Sequence, residues 1–182
     1  MYITRFPIVG PVLIKPKMIG DTRGYFMETF KDDWFRQHVA DVGFVQDNQA
    51  LSSETGTIRG LHFQADPFPQ GKLVRCLRGA IFDVAVDIRD GSPTFGQWIS
   101  ATLTPEGAEQ LWVPEGFLHG YCTLEKDTEV FYKVTNTYRP DLDRGIAFDD
   151  PDIGVDWPVG RDKAVLSDKD KTLPALTSLL KA

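Results

Sequence analysis

Short runs of β-forming residues recur along this chain, each closed by Gly, Pro, Asp or Asn. Residues 81–88 show the pattern most plainly. Phe82, Val84, Val86 and Ile88 share one face, and Ile81, Asp83, Ala85 and Asp87 share the other. A side-chain period of two belongs to a strand resting one face on a core. The runs do not alternate with helical segments long enough for a parallel crossover, which disfavours a βαβ architecture. An antiparallel sandwich or barrel is left, and a closed or nearly closed barrel has room for a ligand inside.

Strands are expected over residues 12–19, 25–30, 44–51, 57–63, 72–77, 81–88, 95–103, 110–113, 117–124 and 128–135. Asp21-Thr22-Arg23-Gly24 is a turn, and Arg78-Gly79 suggests a hairpin between 72–77 and 81–88. One short helix is expected over 32–39 and a second over 174–180. Residues 141–157 are acidic and turn-rich, an ordered irregular stretch anchored by Ile146, Phe148, Ile153 and Trp157. With no linker, repeat or low-complexity tract, residues 1–182 are read as a single domain.

The net charge of −6 argues against a nucleic-acid partner, although local clusters of Arg and Lys can still hold a small anion. The first residues lack a signal-like apolar stretch, and no apolar run approaches the roughly 20 residues of a membrane span. A cytoplasmic protein is therefore expected. Cys76 and Cys122 each lie in an apolar run and are read as buried free thiols.

Two islands carry polar groups that a β core would not choose for packing. One is Arg59-Gly60-Leu61-His62 followed by Gln70-Gly71-Lys72. The other is Pro114 to Gly120, containing His119, followed by Phe131-Tyr132-Lys133. Histidine titrates near neutrality, so His62 suits a general base. Lys72 can stabilise a developing enolate oxygen, and the Tyr132 phenol can donate a proton to carbon. Together they indicate proton transfer on an anionic small molecule. Each also has a plainer reading, as a core histidine, a strand-end lysine or a strand aromatic. His38 is most simply a surface residue. Arg59 and His62 have opposite strand parity, so for both to meet one ligand the strand must end or bulge, which Gly60 would permit. His62 and His119 fall short of the three ligands a metal site normally needs, and no metal is expected. Nucleotide-binding glycine loops and nucleophile-elbow motifs are absent.

These residues stand in a known order. The chain resembles the dTDP-4-dehydrorhamnose 3,5-epimerase family through Asp21-Thr22-Arg23-Gly24-Tyr25-Phe26, Thr57 to Gln64, Gln70 to Arg75, Gly91 to Gly96, Pro114 to Gly120, Arg144-Gly145-Ile146, Asp156-Trp157-Pro158 and Leu166 to Asp170. The resemblance implies an all-β, cupin-like jelly-roll barrel and a cofactor-independent homodimer acting on a dTDP-linked 4-keto-6-deoxy sugar. It implies His62 as base, Asp170 as its orienting carboxylate, Lys72 at the C4 oxygen and Tyr132 as the acid on the opposite face. It further implies Arg23, Phe26, Glu28, Asp47, Asn48, Gln49, Arg59, His119, Tyr138, Asp143 and Lys169 as substrate-binding residues. Tyr138 is expected to stack on thymine, and Arg23, Phe26 or Glu28 to serve the neighbouring subunit. Asn48-Gln49-Ala50 and Phe63 depart from the family's usual residues.

Three other readings compete. A single-carbon epimerase would share the base and the acid. A non-catalytic sugar-nucleotide binding module could dispense with His62 or Tyr132. A metal-dependent cupin would need a ligand cluster that the sequence lacks.

Overall fold

The computed structural model describes residues 1–181. Its strands in chain order are β1 (Tyr2–Arg5), β2 (Val12–Lys15), β3 (Met18–Asp21), β4 (Gly24–Met27), β5 (Gln46–Ser52), β6 (Ile58–Gln64), β7 (Lys72–Arg78), β8 (Ile81–Asp87), β9 (Trp98–Leu103), β10 (Gln110–Val113), β11 (Phe117–Thr123), β12 (Thr128–Val134) and β13 (Asp143–Gly145). The helix α1 (Asp32–His38) lies between β4 and β5. All strand ladders are antiparallel. A six-stranded sheet has the order β1-β2-β10-β7-β12-β5, and a five-stranded sheet the order β13-β6-β11-β8-β9. The hairpin β3–β4 forms a separate two-stranded sheet. This is the expected cupin-like jelly roll.

The expected 12–19 strand is two strands, broken at Pro16-Lys17, because proline lacks the N–H that a continuous ladder needs. The expected 72–77/81–88 hairpin is not a paired one. Its two strands belong to different sheets, and the Arg78-Gly79 turn carries the chain across the sandwich. The terminal helix is a 3-10 segment, Leu176–Lys181.

Between the sheets Val74, Cys76, Leu111, Val113 and Val130 meet Ile81, Ala85, Ile99, Leu103, Phe117 and Tyr121. Each outer face is covered in part. Phe35 of α1 packs on Val12, Ile14, Leu73 and Trp112. Ile146, Ile153 and Leu176, from the chain after the last long strand, pack on Leu61, Val84, Val86 and Leu118. Strand β8 is therefore buried on both faces, not one. Alternation marks two faces but cannot tell whether a later segment covers the outer one. Both cysteines are free and buried, and burial pushes each thiol up to about 11. No helix among the described residues is long and apolar enough to cross a membrane.

A fully buried Asp87 closes β8 and organises the loop after it. Its oxygens accept hydrogen bonds from Arg89 Nε at 2.9 Å, Ser92 Oγ at 2.6 Å and Thr94 Oγ1 at 2.6 Å. Burial pushes this carboxyl up. The bonds from Arg89, Ser92 and Thr94 outweigh that and hold its pKa well below the usual carboxylate range. A depressed folded-state pKa stabilises the fold above the unfolded value of about 4, and the gain is lost as pH falls further. Asp87→Asn should cost on the order of 3 kcal/mol at pH 7. In denaturant melts the gap between variant and parent should narrow below about pH 4. A gap that is constant with pH would contradict the ionised reading of this carboxyl.

Candidate active site

One cleft opens between the two sheets. Its first lobe, of about 340 Å³, is lined by residues including Gln46, Asn48, Gln64, Gln70, Tyr138 and Asp143. Its second, of about 420 Å³, is lined by residues including Ala50, Arg59, His119, Tyr121, Ser167 and Asp170. His62, Lys72, Tyr132 and Lys169 line both and so stand at the junction. The lobes follow each other along the strands. On β5 the order is Gln46, Asn48, then Ala50, and on β6 it is Gln64, His62, then Arg59.

The parity conflict between Arg59 and His62 is resolved by a bulge. In the β6–β11 ladder His62 pairs with His119 and Arg59 with Tyr121, so three steps on β6 match two on β11. Gly60 adopts φ +139, and a Cβ there would sit 2.5 Å from Gly120 Cα. Only glycine lets the strand bulge against its neighbour so closely. The bulge turns both side chains into one cleft.

His62 Nε2 lies 2.6 Å from Asp170 Oδ1. An ionised Asp170 accepts the proton of Nε2–H, which leaves the Nδ1 lone pair as the basic atom. Asp170 is buried on the 3-10 turn Asp170–Thr172, and its N–H donates to Ser167 Oγ. Beside this pair His119 Nε2 lies 2.7 Å from Asp83 Oδ1, with Asp83 fully buried in β8.

Tyr132 comes from the other wall, since β12 belongs to the six-stranded sheet and β6 to the five-stranded one. Burial raises the Tyr132 phenol pKa, with Arg59 opposing, so the group stays protonated at neutral pH. Lys72 opens β7 at the junction. Burial lowers its pKa to about 8, while Asp143 and Asp83 hold it up and Lys169 pushes it down. It is therefore mostly cationic at pH 7. Asp143, on β13, gathers the rim: Tyr138 Oη donates to Asp143 Oδ2 at 2.8 Å, and Lys169 Nζ bonds the same oxygen. Arg59 is steadied by Ser52 Oγ and the Leu51 carbonyl, both at 3.1 Å.

The cleft thus brings together His62, Lys72, Tyr132, Asp170, Asn48, Arg59, His119, Tyr138, Asp143 and Lys169. Asp47 and Gln49 lie on the opposite face of β5, bonded to Lys133 at 2.7 Å and Glu129 at 2.5 Å. Strand alternation allows only the middle residue of Asp47-Asn48-Gln49 to point inward. Arg23, Phe26 and Glu28 are exposed on or just beyond the β3–β4 hairpin, away from this cleft; Phe26 is 71% exposed. Arg23 there bonds Asp21 at 2.5 Å. Gln46, Gln64, Gln70 and Asp83 had no expected role. For Asp83 a signal was present: an acid sharing a strand face with Ile81 and Ala85 needs a partner. Among the described residues no three His, Cys, Asp or Glu side chains converge at metal-ligand spacing.

A profile described as dTDP-4-dehydrorhamnose 3,5-epimerase matches residues 5–178. The chain belongs to this family. A dTDP-4-dehydrorhamnose 3,5-epimerase of Sinorhizobium fredii is 56% identical over 98% of this chain and 91% of its own length. Among solved structures, the Bacillus anthracis dTDP-4-dehydrorhamnose 3,5-epimerase, with TDP and pyrophosphate bound, superposes with a TM-score of 0.92. It is 43% identical, over 96% of this chain and 99% of its own. The dTDP-6-deoxy-D-glucose-3,5-epimerase of Legionella pneumophila, in complex with dTDP-4-keto-L-rhamnose, also gives 0.92. It is 42% identical, over 97% of this chain and 93% of its own. Epimerase family and jelly roll thus agree with what the resemblance implies.

Proposed function

We propose that this chain epimerises dTDP-4-dehydro-6-deoxy-D-glucose at C3 and C5, giving dTDP-4-dehydro-L-rhamnose. One observation carries the mechanism: a histidine–carboxylate pair and a protonated phenol stand on opposite walls of one cleft, with a lysine at the junction. The C4 ketone acidifies the hydrogens on C3 and C5. His62 Nδ1 removes one as a proton, and the electron pair moves onto the C4 oxygen as an enolate. The Lys72 ammonium stabilises that charge where it forms. Tyr132 Oη then delivers a proton to the other face of the carbon, and the C4 ketone returns. Solvent exchange resets base and acid, and the second carbon follows.

Arg59 offers a donor fork suited to phosphate, and with His119 it lines the part of the cleft that would hold the diphosphate and sugar. Tyr138, half exposed beside Asp143 on the rim of the first lobe, is the ring that would stack on thymine. Asn48, Asp143 and Lys169 are further substrate contacts. Arg23, Phe26 and Glu28 are carried on the exposed hairpin segment into the cleft of a second copy, in a homodimer of single-domain chains. Asp47 and Gln49, on the outer sheet face, contribute at that interface.

Turnover in heavy water, followed by mass spectrometry of the recovered sugar nucleotide, should show two carbon-bound deuterons. Recovery without any would overturn the reading. The pH profile gives a second test. kcat/KM should decline as pH rises through about 8, where Lys72 loses its charge. Lys72→Met should be slower by about 10²-fold and should lack that limb. A parent profile flat to pH 10 would remove Lys72 from the enolate role.

A further inference from the structure

The His62–Asp170 hydrogen bond spans 108 residues of chain, and nothing in the strand ladders holds Asp170 in place. It rides on a strap fastened at two ends. On the N-terminal side Val165 N–H donates to the Gly56 carbonyl, and Ile58 N–H to the Val165 carbonyl, both at 3.0 Å. On the C-terminal side Ala147 N–H donates to the Pro174 carbonyl at 2.8 Å, and Leu176 N–H to Asp150 Oδ2 at 2.8 Å. Between these fastenings the backbone bonds are internal to the strap, such as Lys171 N–H to the Ser167 carbonyl.

Asp150 is 2% exposed, and among the described residues its side-chain bonds are all to backbone N–H groups. Oδ1 accepts from Asp152 and Ile153 at 2.9 and 3.2 Å, closing a turn beneath the five-stranded sheet. Oδ2 reaches across to the strap. A carboxylate can accept on both oxygens at once, whereas an amide can satisfy one side only. Leu176, next to this bond, is buried on Leu61, Val84, Val86 and Leu118. Gly145 completes the seat. A Cβ there would lie 2.9 Å from Leu173 Cδ1 and 3.0 Å from His62 Cδ2, so its bareness lets the strap close against the base.

We propose that Asp150 is a positioning residue for the proton-transfer pair: by clasping the strap at Leu176 it holds Asp170 in hydrogen-bond register with His62. The proposal rests on His62 being the base. Asp150 touches no substrate, and its effect passes through Asp170 alone. That route separates it from a residue that merely stabilises the fold.

The test is a double-mutant cycle read by substrate hydrogen exchange in heavy water. Asp150→Asn should slow exchange at C3 and C5 roughly 10-fold with dTDP affinity unchanged. In an Asp170→Asn background, the same substitution should change the rate by less than about 2-fold. The Nε2–H proton resonance of His62, seen in protein labelled with 15N-histidine, should broaden or vanish in Asp150→Asn. An equal loss in both backgrounds, or an unchanged resonance, would overturn the proposal. If the parent protein exchanges no substrate hydrogen, the epimerase reading fails, while the resonance still reports on the clasp. Should Asp150→Asn not fold, Leu176→Pro, which removes the N–H that Asp150 Oδ2 accepts and leaves the Asp150 turn whole, is read the same way.

Discussion

His62→Ala should lower hydrogen exchange at both C3 and C5 by about 10⁴-fold while dTDP binds with unchanged affinity. One base serves both carbons, so both exchanges should fall together. The nucleotide should be spared because Arg59 and His119 hang from the second lobe, on their own partners at Ser52, Leu51 and Asp83. Exchange near the parent rate at either carbon would mean that another group abstracts that proton. His119 would be the natural suspect, since it pairs with His62 across the β6–β11 ladder.

Tyr132→Phe should separate two steps that the parent enzyme fuses. Phenylalanine keeps the ring packed on β12 but carries no proton. Product inversion should fall by on the order of 10³-fold, and washout of substrate hydrogen into heavy water by less than about 10-fold. The reason is topological: His62 can return a deuteron to the face it took a proton from, and only the opposite wall can invert the carbon. Equal loss of washout and inversion would assign Tyr132 to holding the sugar and not to delivering a proton.

The sequence shows the strands because their signal is local. Alternation and turn residues mark most of the long strands to within a few residues, and Gln110–Val113 to the residue. Sheet membership is not local, which is why the Arg78-Gly79 turn reads as a hairpin although it crosses between sheets. The same limit hides the second buried face of β8, since its cover comes from Ile146, Ile153 and Leu176 far along the chain.

Within the site, parity arguments go far. They pose the Arg59–His62 conflict that the Gly60 bulge resolves, whereas Asp47, Asn48 and Gln49 read alike until β5 is seen with its outer face bonded to Lys133 and Glu129. They cannot reach Asp170, whose place beside His62 depends on a strap without periodicity. Family likeness supplies that partner. Nor can they order the lobes along the cleft.

The most direct test of base and acid on opposite walls is proton NMR of the parent protein with dTDP-4-dehydro-6-deoxy-D-glucose in heavy water. Loss of both the H3 and H5 signals, with growth of the L-lyxo product, is the predicted result. Exchange confined to one carbon, or binding without exchange at either, would contradict a double epimerase built on His62 and Tyr132.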